Sequence, residues 1–250
     1  MDDTINSFEE FHKLFSDWPS QTRYYFRGVS RSYYELIPSL GRSSDRTGYY
    51  DEKRLLKEFK NQALAYVNKL PSNDWELMAL AQHHGLPTRL LDWTTNPLVA
   101  LYFSVRDNID LDLEKYAPRG YDGSSAFYFM IYKTPPVDIE NIKCPIDYVS
   151  KKEKEWTGSG HAIFWPPHYT PRIKAQSGVL TIQHDPKTPW CYGSRLVKYK
   201  IPFNKRPLFR KILNNYGVND SSMFPDLDGL SSHLKNIRED HYGSWPNDIN

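Results

Sequence analysis

Residues 75–104 read WELMALAQHHGLPTRLLDWTTNPLVALYFS, and this stretch decides most of the fold. It predicts a helix that is capped by Asp74, runs to His84 and stops at Gly85. The residues that follow, 88–94, have the composition of a short strand. The stretch therefore predicts a helix, a tight turn and a strand in quick succession.

A second helix is predicted directly after that strand. Asn96 is a good N-cap and Pro97 suits the first helical position, so together they open the helix LVALYFSVR. This segment is apolar almost all round, and we expect the helix to be buried. Polar residues interrupt the apolar pattern of 75–104 where a core would otherwise be expected, which is typical of a functional site. They are His83, His84, Arg89, Asp92, Thr94 and Thr95.

The rest of the chain predicts an α+β domain, with a mostly antiparallel sheet of short strands and helices packed around it. We expect a single domain over 1–250, with 134–172 as a solvated insertion because prolines and the run KKEKE fall there. Residues 29–50 lack a sustained period and are expected to form a long, mobile loop. The further predicted helices are 7–16, 51–69, 207–216 and 229–239, and the further predicted strands are 23–27, 125–132, 178–183 and 195–201.

Composition narrows the class of protein. A net charge of +2 and a pI near 8.3 are too weak to indicate a nucleic-acid binder on their own. Aromatic residues make up 15% of the chain, and they could serve either packing or the stacking of bases. No apolar run approaches the roughly 20 residues of a membrane span, and no export signal is seen. The two cysteines imply no disulfide framework. We expect a cytoplasmic protein with no membrane partner.

Tyr25-Phe26-Arg27-Gly28 places an arginine at the end of an aromatic strand. The following glycine would let a phosphate or a ligand backbone approach closely, which makes Arg27 a candidate anion clamp. A structural ion pair with a carboxylate is the alternative role for Arg27.

The two histidines of the first helix fall on different faces. His84 follows the apolar side of that helix, so we expect it to pack in the core, whereas His83 is the candidate for ligand contact. Adjacent histidines diverge by about 100° on a helix and no nearby Cys, Asp or Glu completes a set, so no metal site is expected.

Asp92 lies on the same strand face as an apolar residue, so its carboxylate needs a partner. Arg89, Arg27 and the histidines are the candidate partners. A buried Asp–Arg brace and a catalytic or ligand-binding role remain equally open for Asp92, and Thr94-Thr95 could serve only as helix caps.

The chain resembles the FRG domain, a bacterial family named after the tripeptide Phe-Arg-Gly. The resemblance is carried by Phe26-Arg27-Gly28, by the block from Trp75 to Ser104, by AQSGVLT at 175–181 and by MFPDLDGL at 223–230. Some FRG proteins resemble toxins of anti-phage toxin–antitoxin loci, which implies a restraining antitoxin partner and a possible RNA acceptor.

The chain is also similar to ADP-ribosyltransferases, which implies an ADP-ribosyltransferase-like sheet core and NAD as substrate. Arg27-Gly28 resembles their first motif, LLDWTTNPLVALYFS the second and Gln176-Ser177-Gly178 the third. Gly178 stands where their catalytic glutamate would lie, so the resemblance leaves that role to Gln176, Asp92 or His83. It implies that NAD is bound by Arg27, Gly28, Arg89, Thr94 and Thr95.

Three functions follow as expectations. The first is an NAD-dependent ADP-ribosyltransferase toxin that modifies a macromolecule and needs no metal. The second is a non-catalytic module that binds a nucleotide or a phage component. The third is a hydrolase or nuclease that uses His83 and Asp92 as acid and base.

Overall fold

The computed structural model describes residues 3–19, 22–42, 52–67, 70–108, 117–131, 135–155, 160–167, 170–191 and 196–239. Seven strands are present in these residues: β1 (Asp3–Thr4), β2 (Tyr24–Val29), β3 (Leu90–Thr94), β4 (Ser125–Ile131), β5 (His161–Phe164), β6 (Gly178–Gln183) and β7 (Leu196–Ile201). The α-helices are α1 (Phe8–Ser16), α2 (Ser39–Arg42), α3 (Glu52–Ala63), α4 (Asp74–His83), α5 (Pro97–Val105), α6 (Pro145–Glu155), α7 (Pro171–Ala175), α8 (Arg206–Asn215), α9 (Asp220–Met223) and α10 (Leu227–Glu239).

The predicted α+β class and the mostly antiparallel sheet are confirmed. The strand order is β1-β7-β4-β2-β3-β6-β5, and every neighbouring pair is antiparallel except β1 with β7. Within the described residues, no helix has both the length and the apolar character that crossing a bilayer requires.

The sheet consists of two halves that meet at one point. β2 is paired with β4 along its whole length, and β3 is paired with β6 along its whole length. Between β2 and β3, however, a single residue pair is in register, Phe26 with Thr94. The two strands therefore separate just beyond Phe26, and the sheet opens between Arg27 on one side and Asp92 on the other.

Helix α5 forms as the sequence predicts. The side chain of its N-cap, Asn96, accepts a hydrogen bond from the Leu98 amide at 2.9 Å, and Pro97 occupies the first turn. Its apolar side chains are buried against β2 and β4, where Phe26 and Phe127 continue the same core. The prediction of a buried helix is confirmed.

Gly28 is required by this packing. A Cβ at Gly28 would lie 1.9 Å from the carbonyl oxygen of Ala100 and 2.5 Å from the amide nitrogen of Ser104, both in the backbone of α5. Glycine lets strand and helix come this close. The prediction that Gly28 serves ligand approach thus has a second, purely structural explanation.

The described part of 134–172 is more than solvated chain. It supplies α6, the edge strand β5 and the start of α7. Val149 and Phe164 are fully buried and extend the core under the β3-β6-β5 half. The expected solvated character is therefore wrong for these residues, because a few apolar side chains between the prolines and charges suffice to anchor an edge strand.

The segment 29–50 also differs from its prediction where it is described. Leu36 and Leu40 are buried, and the backbone of Leu40 is bonded to Thr88, so this part is packed against the body. Residues 43–50 lie outside the described residues.

We predict that Gly28→Ala lowers the free energy of unfolding by about 2–3 kcal/mol, because the added methyl group meets helix backbone that cannot turn aside. Gly178→Ala is the matched control, since its Cβ would meet nothing closer than 3.5 Å. We expect that control to change stability by less than about 1 kcal/mol. Urea unfolding of both variants measures the difference, and equal losses would contradict the close approach of β2 and α5.

Candidate functional site

A cavity of about 260 Å³ lies at the opening between the two halves of the sheet. Its walls come from β2, β3 and β6 and from α4, α5 and α7. The polar residues that line it are Arg27, Gln82, His83, Asp92, Thr94, Arg172 and Gln176, and apolar side chains including Phe103 complete the wall. Four separate stretches of the chain thus contribute polar groups to one concave site, which is the usual form of a ligand-binding site.

Arg27 lies across the opening. Its Nη1 donates a hydrogen bond to the backbone carbonyl of Asp92, so the side chain connects β2 to β3 where the strands no longer pair. Its Nε is buried and has no hydrogen-bond partner among the described residues. Burial lowers the pKa of Arg27, and the nearby Asp92 opposes this effect. A buried guanidinium N–H without a partner is costly.

The carboxylate of Asp92 is held by a glutamine. Oδ1 of Asp92 accepts a hydrogen bond from Nε2 of Gln82 at 2.7 Å, while Oε1 of Gln82 accepts one from the hydroxyl of Thr88. Because Thr88 occupies the oxygen of Gln82, the amide nitrogen must face Asp92. The expected partners of this carboxylate, arginine or histidine, are not the ones found. Asp92 is also exposed to the cavity, so it is no buried brace.

His83 lines the cavity at the end of α4, where sequence reasoning placed a ligand contact. Burial lowers the pKa of His83, and the neighbouring Arg172 and His84 lower it further, against the opposing charges of Asp92 and Asp226. The imidazole is therefore largely neutral at pH 7 and able to accept a proton.

His84 is exposed, so its predicted place in the core is wrong. The helix ends at His83, and His84 is the C-cap with φ −92° and ψ 15°. The helical phase that assigned it to the apolar face no longer applies at that residue.

Thr94 and Gln176 form a second polar corner of the cavity. The hydroxyl of Thr94 donates to the carbonyl of Gln176 at 2.7 Å and accepts from the amide of Asn96 at 3.0 Å. The side-chain amide of Gln176 donates to the carbonyl of Met223 at 3.0 Å, which leaves its oxygen available for a ligand. Thr95, by contrast, is not part of the cavity wall and bonds to Ser177 through its backbone.

Arg89 lies elsewhere, and its predicted role in binding NAD is not supported by its position. Its Nε donates to Glu52 Oε2 at 2.6 Å, and its Nη1 donates to the carbonyl of His184 at 2.7 Å. The side chains of Arg89 and Glu52 are 9% and 3% exposed. Arg89 therefore ties α3 to β3 and to the end of β6, as a structural ion pair.

Two cavity residues escaped the sequence analysis. Gln82 carries no motif, and only its helical position one residue before His83 could have indicated it. Arg172 lies in α7, within the stretch expected to be solvated, so nothing in the local pattern marked it. Both become visible only when α4 and α7 meet over β3 and β6.

The comparisons with known proteins support one of the two resemblances. Residues 22–112, which include β2, α4, β3 and α5, match the FRG domain. That match covers the tripeptide Phe26-Arg27-Gly28 and the block from Trp75 to Ser104. It does not cover Arg172, Gln176 or the segment 223–230. No curated protein and no solved structure matches the chain.

We predict that Glu52→Gln lowers the free energy of unfolding by about 3 kcal/mol, because it leaves the Arg89 guanidinium buried without a counter-charge. Lys53→Gln is the neighbouring control. Its ion pair with Asp147 joins side chains that are 63% and 66% exposed, so its loss should cost less than about 1 kcal/mol. Chemical unfolding checks both values, and a Glu52→Gln protein as stable as the Lys53→Gln control would contradict the structural role of Arg89.

Proposed function

We propose that the chain binds NAD in this cavity and transfers the ADP-ribose group to a macromolecule. The observation that supports the proposal is the convergence on one site of a guanidinium with one unsatisfied N–H, a held carboxylate and a neutral imidazole. They belong to Arg27, Asp92 and His83. Such a set can bind an anion and can also move a proton.

The residues suit the groups that NAD carries. Arg27 lines the cavity, and its guanidinium can donate to a phosphate oxygen, as arginine does in many phosphate sites. Phe103 in the cavity wall offers an aromatic face for a nicotinamide or adenine ring. The oxygen of Gln176 can accept a hydrogen bond from a ribose hydroxyl.

Bound NAD would supply a labile bond between the ribose C1′ and the nicotinamide nitrogen, and nicotinamide would leave with the electron pair as an acceptor oxygen or nitrogen attacks C1′. The negative charge of Asp92 would stabilise the positive charge that develops at C1′. The neutral His83 would take the proton that the acceptor loses. Gln82 would keep the Asp92 carboxylate in place.

The proposal also includes the molecule that accepts ADP-ribose and a protein that restrains the enzyme. The resemblance to FRG proteins favours RNA as acceptor, an antitoxin as restraining partner and a role as a toxin in anti-phage defence.

A second function is favoured by one specific position. Gly178 pairs with Thr94 at the cavity edge, so the third strand offers no carboxylate where ADP-ribosyltransferases have glutamate. If Asp92 does not replace that glutamate, the cavity is a non-catalytic site for a nucleotide or a phage component. The third function, a hydrolase or nuclease, would use the same His83 and Asp92 on water.

The decisive experiment uses the full chain with NAD labelled on the adenylate phosphate, offered with total RNA, DNA or protein. We predict transfer of label to one of these acceptors together with release of nicotinamide. Asp92→Asn should lower the transfer rate by about 100-fold or more, because the variant loses the charge but keeps a group that Gln82 can hold.

The matched control is Asp147→Asn, whose carboxylate is exposed and pairs with Lys53 outside the cavity. It should transfer at the wild-type rate within about twofold. A folded wild-type protein that binds ADP-ribose but releases no nicotinamide would contradict the transfer reaction and support the binding module. Cleavage of nucleic acid without NAD would support the third function instead.

A further inference from the structure

Arg172 is a positively charged residue in the cavity wall to which the proposed reaction gives no role. Its guanidinium lies 4.2 Å from the ring centroid of Phe224, so the aromatic face supports it from one side. The side chain is half-buried, and among the described residues it makes no ion pair and no hydrogen bond. Its N–H groups therefore remain available to a ligand within the cavity.

The charges around Arg172 do not neutralise it. Burial and the charge of Arg106 lower the pKa of Arg172, against the opposing charges of Asp226 and Asp92. An arginine remains protonated under all ordinary conditions. A partly buried cation without a contacting carboxylate is most stable when an anion binds to it.

Arg27 and Arg172 approach the cavity from opposite halves of the sheet. Arg27 lies on β2, in the half that contains β4 and β7, and Arg172 lies on α7, which leads directly into β6 of the other half. Within the described residues, the cavity wall contains these two guanidinium groups and a single carboxylate, that of Asp92. The site thus carries an excess of positive charge divided between two walls.

We propose that Arg27 and Arg172 each bind one phosphate of a pyrophosphate-containing nucleotide, so that the cavity selects dinucleotides and nucleoside diphosphates over monophosphates. The inference rests on the proposed function and specifies its ligand class. A ligand held by both arginines would also connect β2 with α7 and β6 across the opening, where β2 and β3 have one residue pair in register.

Phe224 gives Arg172 a defined position. Gln176 holds the carbonyl of the preceding residue, Met223, so the start of segment 223–230 is fixed at the cavity edge. The ring of Phe224 then orients the guanidinium of Arg172. The same ring lies 4.6 Å from the guanidinium of Arg106, which is not part of the cavity wall. The chain therefore contains two arginines on one aromatic ring, of which only one can reach the ligand.

Arg172 and Arg106 therefore provide a test variant and a matched control for a binding experiment. Isothermal titration of the full chain with ADP-ribose and with AMP compares wild type, Arg172→Gln and Arg106→Gln. We expect wild type to bind ADP-ribose at least about tenfold more tightly than AMP, because only ADP-ribose supplies a phosphate to both arginines. Arg172→Gln should weaken ADP-ribose binding about 10- to 100-fold and remove most of that preference. Arg106→Gln should change neither affinity by more than about twofold.

The outcomes separate this inference from the transfer reaction. If Arg172→Gln binds ADP-ribose as wild type does, or if wild type binds AMP as tightly as ADP-ribose, the inference is overturned even in a protein that transfers ADP-ribose. If the affinity for ADP-ribose depends on Arg172 but nicotinamide is never released, the inference holds and the transfer reaction fails. Equal losses in Arg172→Gln and Arg106→Gln would assign the effect to Phe224 packing and overturn the inference.

Discussion

The hydrogen bond from Arg27 to the backbone carbonyl of Asp92 connects β2 and β3, between which the described residues place a single pair in register. In a continuous sheet, ladder hydrogen bonds would join these strands and leave no space between them. Here a long side chain crosses the opening instead. The cavity exists because the strands separate, and the halves stay together in part because Arg27 crosses between them.

This arrangement has an energetic cost that is local to the site. One N–H of Arg27 is satisfied by Asp92, while the buried Nε is not. An unsatisfied buried donor costs roughly 1–3 kcal/mol, and the cost is higher for a charged group. Proteins keep such groups chiefly where a ligand or water completes them. Arg27 lines a cavity whose wall also contains Asp92, His83 and Arg172, which is why we place the ligand there.

Local signals predicted the helices that border the site. Capping and proline placement predicted the start of α5 at Asn96-Pro97, and apolar periodicity predicted its burial. For α4 the cap is Asn73, one residue before the Asp74 that we expected, because the Asn73 side chain accepts the Glu76 amide at 3.0 Å. The orientation of side chains at helix ends was harder to predict, as His84 illustrates. Helical periodicity no longer determines which way a side chain points once the helix has ended.

Partners distant in sequence were not predictable. Arg27 lies within β2 and Arg89 directly precedes β3, yet Arg27 crosses the sheet opening while Arg89 pairs with Glu52, 37 residues earlier in the chain. Which arginine pairs with a carboxylate depends on how α3 packs, and no local sequence pattern predicts that packing. Arg172 reaches the cavity in the same way, because α7 leads into β6, and β6 pairs with β3, which lies much earlier in the chain. The sequence thus predicts α4, β3 and α5, which border the site, but not Gln82 and Arg172, which complete the cavity wall.

The central claim is that Arg27 binds a phosphate in the sheet opening. Nitrogen-15 NMR of the arginine side chains, recorded while ADP-ribose is added to the full chain, tests it directly. The account predicts that the Arg27 Nε–H resonance shifts in proportion to occupancy while that of Arg89, held by Glu52, stays in place. An Arg27 resonance that remains unchanged at saturating ADP-ribose would contradict the account.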